Sequence, residues 1–416
     1  MKLNKIVVSM FAAGVMASPL AHATNGDTMM AVGSENTALG GTGVAHYVGA
    51  ESTFANPAML AKSQGTQVTG GVVMFKPDVT NTGMSGGTVT ATSAANISYI
   101  PDVSYSSRID ENLTYGVAMA GIAGMGVNYT GAGTPFVSAK TALSILKIIP
   151  TIAYNKDNYG LGFSPVLQYG SLAITYDNTA YGGAPHNLAA NANTHTGYGF
   201  SIGGYYNTTP DLTLAAAYNS KIQMSYGNQI STAGLGFGQG VMPGTRAFSD
   251  RMDQPAEIKA GVSYVANSNV TLTADYRLIQ WGSATGYKDF GWKDQTVVAI
   301  GAKYSSENYW LGAGYNNSKN PIGVFANGTL TPSGNNGGIV NMFNNMMFPG
   351  IVNSSYTLGG GYILNKNFDL SGSFTYAPKV TARVDISDAM GMAPGSLFNT
   401  TVHSQQAYSV SLRYKF

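Results

Sequence analysis

The chain has 416 residues, of which only 10% are charged, and it contains 53 Gly, 26 Tyr and no Cys. Without Cys it has no disulfide, no thiol catalysis and no thiolate metal site, and a net charge of +2 without a basic stripe gives no indication of a nucleic-acid partner. An ordinary soluble domain has roughly 25% charged residues. A chain this poor in charge is expected to expose one face to a solvent other than water.

The first 23 residues have the composition of a secretory signal. Lys2 and Lys5 precede an apolar run over 6–20, and the small-x-small triplet 21–23 follows it. The run is short for a membrane anchor, which is the alternative. We therefore predict cleavage after Ala23 and export of the mature protein.

Residues 24–62 do not alternate and consist largely of small side chains. They contain Asn56, Pro57 and Ala58, in which an Asn cap precedes a Pro at the first helical position, and this order predicts a short helix. Some forty residues are too few for a separate periplasmic domain. We predict that residues 24–62 form an N-terminal plug and that 63–416 form a barrel around it.

Beyond residue 23 no apolar run approaches the roughly eighteen residues of a transmembrane helix. Instead, alternating segments flank six tight polar turns, at 110–112, 155–158, 207–211, 266–269, 305–308 and 365–367. With one strand added at each end, fourteen strands are predicted: 67–75, 101–107, 113–124, 144–154, 159–169, 196–206, 212–226, 256–265, 270–281, 294–304, 309–317, 354–364, 368–377 and 405–416.

Long connections fall between these hairpins, at 76–99, 125–140, 174–193, 227–253, 282–293, 318–351 and 378–404. Within strands the period is two: Leu272 and Tyr276 share one face, while Thr273 and Asp275 share the other. A soluble sandwich also alternates, but it explains neither export nor long loops at one end only. The pattern predicts an all-β fold, a 14-stranded antiparallel transmembrane β-barrel with the helical plug in its lumen.

The last strand ends on Phe416, after alternating Tyr414 and Leu412. An aromatic residue suits the periplasmic rim of a barrel, where an aromatic belt is expected. A terminal aromatic strand also resembles the signal that outer-membrane assembly machinery recognises. An ordinary C-terminal strand is the alternative.

The third strand, read as far as Tyr129, contains Gly121, Gly124 and Gly126. Gly inside a strand weakens pairing and marks bulges or bends. We predict a kink in the strand here. The alternative is plain packing, because Gly is abundant throughout the chain.

Two long connections are apolar for segments that face water. Exposed apolar surface usually marks a binding site, and Met adapts to flexible chains or rings. The alternative is that these loops fold inward and pack on one another, or contact lipid. The predicted ligand-contacting residues are Leu235, Phe237, Met242, Phe248, Met342, Phe343, Met346, Met347 and Phe348.

Three cations near these loops, Arg246, Arg251 and Lys319, could pair with a carboxylate group of a ligand. Loop cations are more often solvated or bound to lipopolysaccharide phosphates. A hydrocarbon ligand would need none of them.

Three stretches carry a family resemblance: ATNG at 23–26, ALGGTGVA at 38–45 and STFANPAML at 52–60. In this order, after a signal peptide and before a barrel, they resemble the outer-membrane long-chain fatty-acid transporters and their aromatic-hydrocarbon-uptake relatives of Gram-negative bacteria. The resemblance implies a plugged barrel that captures a hydrophobic ligand with its outer loops. It also implies passive movement to a pocket near the mature N-terminus and sideways release at a kinked third strand.

Two rival functions are weighed against this one. A general diffusion porin would have a barrel too, but it normally has charged rings at a constriction and no plug. A barrel hydrolase needs a nucleophile motif such as G-x-S-x-G, which is missing from the sequence. We therefore expect no enzyme activity, no cofactor, no metal and a monomer in the outer membrane.

Overall fold

The computed structural model describes residues 24–83, 89–130, 139–175, 192–236, 239–240 and 243–416. Fourteen strands form a closed antiparallel barrel, as predicted. They are β1 Thr66–Thr82, β2 Ser98–Arg108, β3 Leu113–Asn128, β4 Lys140–Lys156, β5 Tyr159–Thr175, β6 Asn193–Thr209, β7 Leu212–Asn219, β8 Glu257–Val265, β9 Val270–Ile279, β10 Gln295–Ser305, β11 Tyr309–Ser318, β12 Ser354–Ile363, β13 Phe368–Asp385 and β14 Phe398–Lys415.

The barrel closes between its first and last strands. β14 pairs with β1 from Thr400 opposite Thr82 to Lys415 opposite Gln67. The Phe416 amide extends this ladder by donating to the Thr66 carbonyl at 3.0 Å. Closure leaves no free sheet edge between the terminal strands, which is what a strand fold needs in hydrocarbon.

The period-two pattern separates an apolar outside from a polar inside. Along β5, Leu161 and Phe163 are 57% and 46% exposed, whereas Ser164 and Gln168 are buried. The predicted faces of β9 are confirmed, because Leu272 is exposed and Thr273 is buried. Large apolar side chains therefore cover the outer surface, where lipid replaces water as the solvent.

The wall is not equally tall all round. β1, β3 to β6, β13 and β14 have 16 to 18 residues, whereas β7 to β12 have 8 to 11. The predicted lengths were therefore too short on the tall side, where stretches read as the loops 76–99 and 378–404 are partly strand. Polar strand ends beyond the membrane resemble loop sequence, although they still pair.

The seventh predicted strand, 212–226, was wrong in its second half. β7 leaves the wall after Asn219, although residues 220–226 stay paired in register with 250–256 through the bridges Ile222 to Gln254 and Ser225 to Arg251. We call this pair of segments the inward ribbon, because it turns into the lumen. Alternation continues through Ile222 and Tyr226, so the sequence pattern contains no sign of the bend.

The plug lies inside the barrel and contacts strands on all sides of it. Its elements are the short strands Thr24–Asn25 and Thr28–Met29, the helix α1 Ser34–Ala38, and the 3₁₀ turns Ala50–Phe54 and Pro57–Lys62. Two loop helices, α2 Ile230–Gly236 and α3 Gly337–Met347, lie among the long connections. Within the described residues, none of the helices has the length and apolar character that a membrane span requires.

Candidate functional site

The Asn-Pro-Ala motif joins the plug to the wall. The Asn56 side chain accepts a hydrogen bond from the Ala58 amide at 3.0 Å, and its amide group donates to the carbonyls of Val44 at 2.8 Å and Gly204 at 3.3 Å. The predicted helix start is confirmed, as the 3₁₀ turn Pro57–Lys62 begins here. One side chain thus caps the turn and ties it to β6.

Two glycines of the wall make room for this motif. A Cβ atom at Gly203 would collide with the Asn56 side-chain oxygen, and one at Gly162 would collide with the peptide between Pro57 and Ala58. The plug therefore packs directly on the backbone of β5 and β6, at positions where only Gly leaves enough space.

Carboxylates of the plug pair with cations of the wall. Arg413 Nη2 donates to Glu51 Oε1 at 3.0 Å, and Ser104 Oγ donates to Glu51 Oε2 at 3.2 Å. Lys303 bonds Glu35 in the same way. We call Glu35, Glu51, Lys303 and Arg413 the anchoring cluster, because these two carboxylates of the plug each have a cation on a strand.

The start of the mature chain lies against the third strand. Thr28 pairs with Ala123, and the Gly124 amide donates to the Asp27 carbonyl at 3.0 Å. The Asp27 carboxylate accepts a hydrogen bond from the Tyr287 hydroxyl. Burial raises the pKa of Asp27 to about 6, against the opposing effect of that hydrogen bond.

The wall breaks along this same strand. Pairing between β2 and β3 ends at Asp102 and Ala120, so β3 beyond that point has no hydrogen bonds to β2. Its register with β4 also shifts between Gly121 and Ala123, which leaves Ile122 as a bulge. The three glycines predicted to kink the strand, Gly121, Gly124 and Gly126, all lie in the part of β3 that pairs with β4 but not with β2.

A cavity of about 80 Å³ lies between the plug and the wall, next to the break. Much of its lining is apolar and comes from both the plug and the strands. The apolar lining residues are Met29, Met30, Ala31, Val32, Val44, Phe54, Ala55, Ile122, Ile149, Val166, Phe200, Ile222, Val297 and Ala299. Such a concave apolar site with a few polar groups is the usual form of a small-molecule pocket.

Five charged side chains line one side of the cavity, and we call them the charged cluster: Lys147, Glu257, Lys259, Asp275 and Arg277. Glu257 Oε2 lies 3.3 Å from Lys259 Nζ and 3.6 Å from Arg277 Nε, within ion-pair distance. Yet Glu257 Oε2, Asp275 Oδ1, and Nε and Nη2 of Arg277 are buried without a hydrogen-bond partner in the described structure. By formal charge, the three cations of this cluster outnumber its two carboxylates by one.

The two apolar loops meet in one aromatic cluster above the plug. The Phe248 ring lies 5.5 Å from that of Phe343, and Phe348 lies 5.5 Å from Phe343. Met342, Met346 and Met347, which belong to α3, are also buried. Leu235, in contrast, is 47% exposed. None of these described residues lines the cavity, and Phe237 and Met242 lie outside the described residues.

The three predicted carboxylate partners lie away from the cavity. Arg251 Nη2 is paired with Asp253 Oδ2 at 2.6 Å. Arg246 and Lys319 are exposed on loops. The structure does not bring these three cations together.

Sequence reasoning missed the cations that do line the cavity, Lys147, Lys259 and Arg277. They lie at inward positions of β4, β8 and β9. With charge at only 10% of the chain, a charged side chain inside a membrane strand is itself a functional signal. Such a count would have marked these three residues, although only the closed barrel shows that they line one cavity.

Fold and cavity together define an outer-membrane transport barrel whose lumen holds the chain's own N-terminal segment. The family model described as "Outer membrane protein transport protein (OMPP1/FadL/TodX)" matches residues 12–335, and the chain belongs to this family. Members transport hydrophobic compounds and are not enzymes. A cluster of His, Asp or Glu able to hold a metal ion is missing from the described residues.

Similar proteins include a long-chain fatty acid transport protein of Escherichia coli O6:H1, 23% identical over 64% of this chain and 71% of that protein. The toluene transporter TodX of P. putida is 19% identical, with a TM-score of 0.68 over 93% of this chain and 99% of that one. A FadL homologue of Pseudomonas aeruginosa is 18% identical, with a TM-score of 0.69 over 94% and 100%. The two solved structures support the fold.

Proposed function

We propose that the protein carries long-chain fatty acids passively across the outer membrane. The observation that carries this proposal is the charged cluster beside the apolar cavity. A ligand carboxylate would meet the excess positive charge and the unpartnered Arg277 donors, while its hydrocarbon chain would contact Met29, Ile122 and their neighbours. A pure hydrocarbon would leave these buried polar atoms without partners, which costs binding energy.

Capture is proposed at the outer loops, through the residues singled out in the sequence. In the structure Phe248, Phe343 and Phe348 are buried against one another. A ligand would therefore have to separate these rings before it moved down toward the cavity. Leu235, which is exposed, would make the first contact.

Release is proposed to occur sideways, through the gap between β2 and β3 beyond the end of their pairing. Ile122, the bulged residue, lines the cavity, and Thr28 of the plug occupies the position that a neighbouring strand would hold. Lateral exit would deliver an apolar molecule directly to the outer leaflet. The plug, in this proposal, blocks the straight route to the periplasm.

The central experiment measures binding to the detergent-extracted protein. Lys147→Met should weaken palmitate binding about tenfold, because one charge-assisted contact is worth roughly 1.5–3 kcal/mol. Binding of toluene should not change. Lys319→Met removes an exposed loop cation and is the matched control. Equal affinity of Lys147→Met and the unmodified protein for palmitate would contradict a fatty-acid site in this cavity.

Lateral release is tested by deleting Ile122. The deletion removes the bulge and lets β3 pair regularly with β4, so uptake of labelled palmitate by cells should fall to about half or less. Ile122→Ala keeps the bulge and is the control for lost apolar contact. Unchanged uptake after the deletion, with normal amounts of folded barrel, would argue against this exit.

The porin alternative is not favoured, because the plug occupies the lumen. Two further expectations stay predictions. Phe416 is 52% exposed at the short-turn end of β14, where barrel-assembly machinery could read it, and the protein is expected to act as a monomer.

A further inference from the structure

The wall has a second break, between β6 and β7. Their pairing ends at Ser201 and Asn219. The last contact is made by Ser220, whose amide donates to the Phe200 carbonyl and whose hydroxyl accepts from the Phe200 amide, each at 2.9 Å. Beyond this contact, in the described residues, β6 from Asn193 to Gly199 has no strand partner on this edge. Unpaired backbone groups on a strand edge are costly wherever they face hydrocarbon.

The inward ribbon leaves the wall because the opposite surface is shaped to receive it. A Cβ at Gly197 would lie 2.6 Å from the Ile222 side chain, and one at Gly199 would lie 2.7 Å from it. At Gly170 a Cβ would collide with the Tyr226 hydroxyl. These three glycines on β5 and β6 thus leave the space that the ribbon occupies inside the lumen. The break between β6 and β7 is therefore part of the fold.

The cavity reaches this second break as well as the first. Phe200, Ser201, Asn219 and Ser220 line it on one side, while Ile122 lines it on the other. Both breaks lie about eight or nine residues from the short-turn end, so they open at a similar height along the strands. A ligand in the cavity therefore has two gaps in the wall beside it.

The outer surface at the second break is aromatic. The Phe200 ring is 42% exposed and lies 6.0 Å from the Tyr218 ring and 6.4 Å from the Phe163 ring. Tyr198, one position further along the same face, is 74% exposed. These rings present an apolar surface to a molecule that passes between cavity and membrane.

We propose that the gap between β6 and β7 is a second lateral opening, through which apolar ligand passes between the cavity and the outer leaflet. Phe200 and Ser220 form its lower rim. The opening works beside the one at β3, so that closing either leaves part of the transport. This inference rests on the proposed transport of fatty acids.

Photocrosslinking gives a direct test. A photoreactive amino acid placed at Phe200 should crosslink to labelled palmitate several-fold more than one placed at Tyr276, an outward residue of the fully paired β9. Both positions contact lipid, so palmitate dissolved in the membrane gives equal background. Equal crosslinking at the two positions would overturn the proposal.

A second measurement uses the protein that lacks Ile122. We expect it to keep roughly a fifth or more of normal uptake, and labelling of Ser220→Cys with a bulky polar maleimide should abolish this remainder. The same label on Thr296→Cys, an outward position of β10, is the control, and the effect of the Ser220 label is measured relative to uptake by unlabelled Ser220→Cys. Residual uptake that survives the Ser220 label would overturn the second opening. Failure of the unmodified protein to bind or import palmitate would instead overturn the proposed function.

Discussion

Two groups of buried charges in the same lumen differ in how completely they are paired. In the anchoring cluster, Glu51 accepts hydrogen bonds from Arg413 and Ser104, and Glu35 accepts one from Lys303. In the charged cluster, atoms of Glu257 and Arg277 have no hydrogen-bond partner in the described structure. Both groups line the inside of one barrel, so their difference does not come from depth alone.

In the proposed function, this difference separates a structural contact from a ligand-binding site. Burying a charge is costly unless it is paired and hydrogen-bonded. Pairing in the anchoring cluster ties the plug to the wall, whereas the unpartnered Arg277 donors beside the cavity would attract a ligand that supplies an acceptor. One barrel can contain both the anchoring cluster and the charged cluster because the plug divides its lumen.

The largest effect is expected from Arg413→Met. It leaves Glu51 buried beside Asp102 without its cation, which should cost about 3 kcal/mol in the free energy of unfolding. The thermal unfolding midpoint of the barrel, followed on unboiled gels, should fall accordingly. Lys147→Met should leave the midpoint nearly unchanged, since Lys147 has no ion-pair partner within 4 Å among the described residues.

A double variant controls for simple loss of packing. Arg413→Met with Glu51→Gln removes both charges and should recover more than half of the lost stability. If the double variant is as unstable as Arg413→Met, the pair matters through its packing and the contrast between the clusters disappears.

An intermediate effect is expected from Gly203→Ala. The new methyl group would collide with Asn56 and push the plug from the wall, so ion conductance in planar bilayers should rise. Gly204→Ala is the matched control, because a Cβ there meets the flexible end of Leu161 at 3.3 Å. Equal conductance of the two variants would show that the Asn56 contact does not hold the plug.

The smallest effect is expected from Asp27, a buried plug carboxylate bonded to the Tyr287 hydroxyl. Its folded-state pKa, about 6, lies above the ordinary 3.8, so the folded state binds the proton more tightly. This contribution to stability is fully present below about pH 4 and is lost as the pH rises through 6. Hydrogen exchange at the Gly124 amide, corrected for intrinsic rate, should therefore be more protected at pH 5 than at pH 7.5.

Asp27→Asn should remove most of that pH dependence, because the amide keeps the shape of the carboxyl group and does not titrate. Thr28→Val keeps the titrating group but removes the hydrogen bond from Thr28 Oγ1 to Asp27 Oδ1, so the pH dependence should persist and move to higher pH. Identical pH profiles in Asp27→Asn and the unmodified protein would assign the effect to another group.

Much of the barrel could be predicted from local patterns. The tight turns 266–269 and 365–367 were correct because the Asn side chains in them bond the backbone two residues further on. The inside and outside of β9 followed from alternation. The short helix at Asn56 and Pro57 followed from its cap.

The candidate site was harder to predict. Phe248 and Phe343 were singled out for their apolar character, but whether an apolar loop faces water or packs on another loop depends on contacts distant in sequence. Lys147 and Arg277 lie on different strands, and only barrel closure brings them to one cavity. Their partners cannot be read from spacing along the chain.

The sequence by itself determined export, strand number, the outward apolar face and the capped turn of the plug, because each depends on neighbours a few residues apart. Only the tertiary structure decided where β7 leaves the wall, since residues 220–226 alternate like any strand and bend because Gly170, Gly197 and Gly199 offer a bare surface opposite. It also decided which buried charges are paired. Pairing and packing across a lumen depend on distances in space, which a linear pattern does not contain.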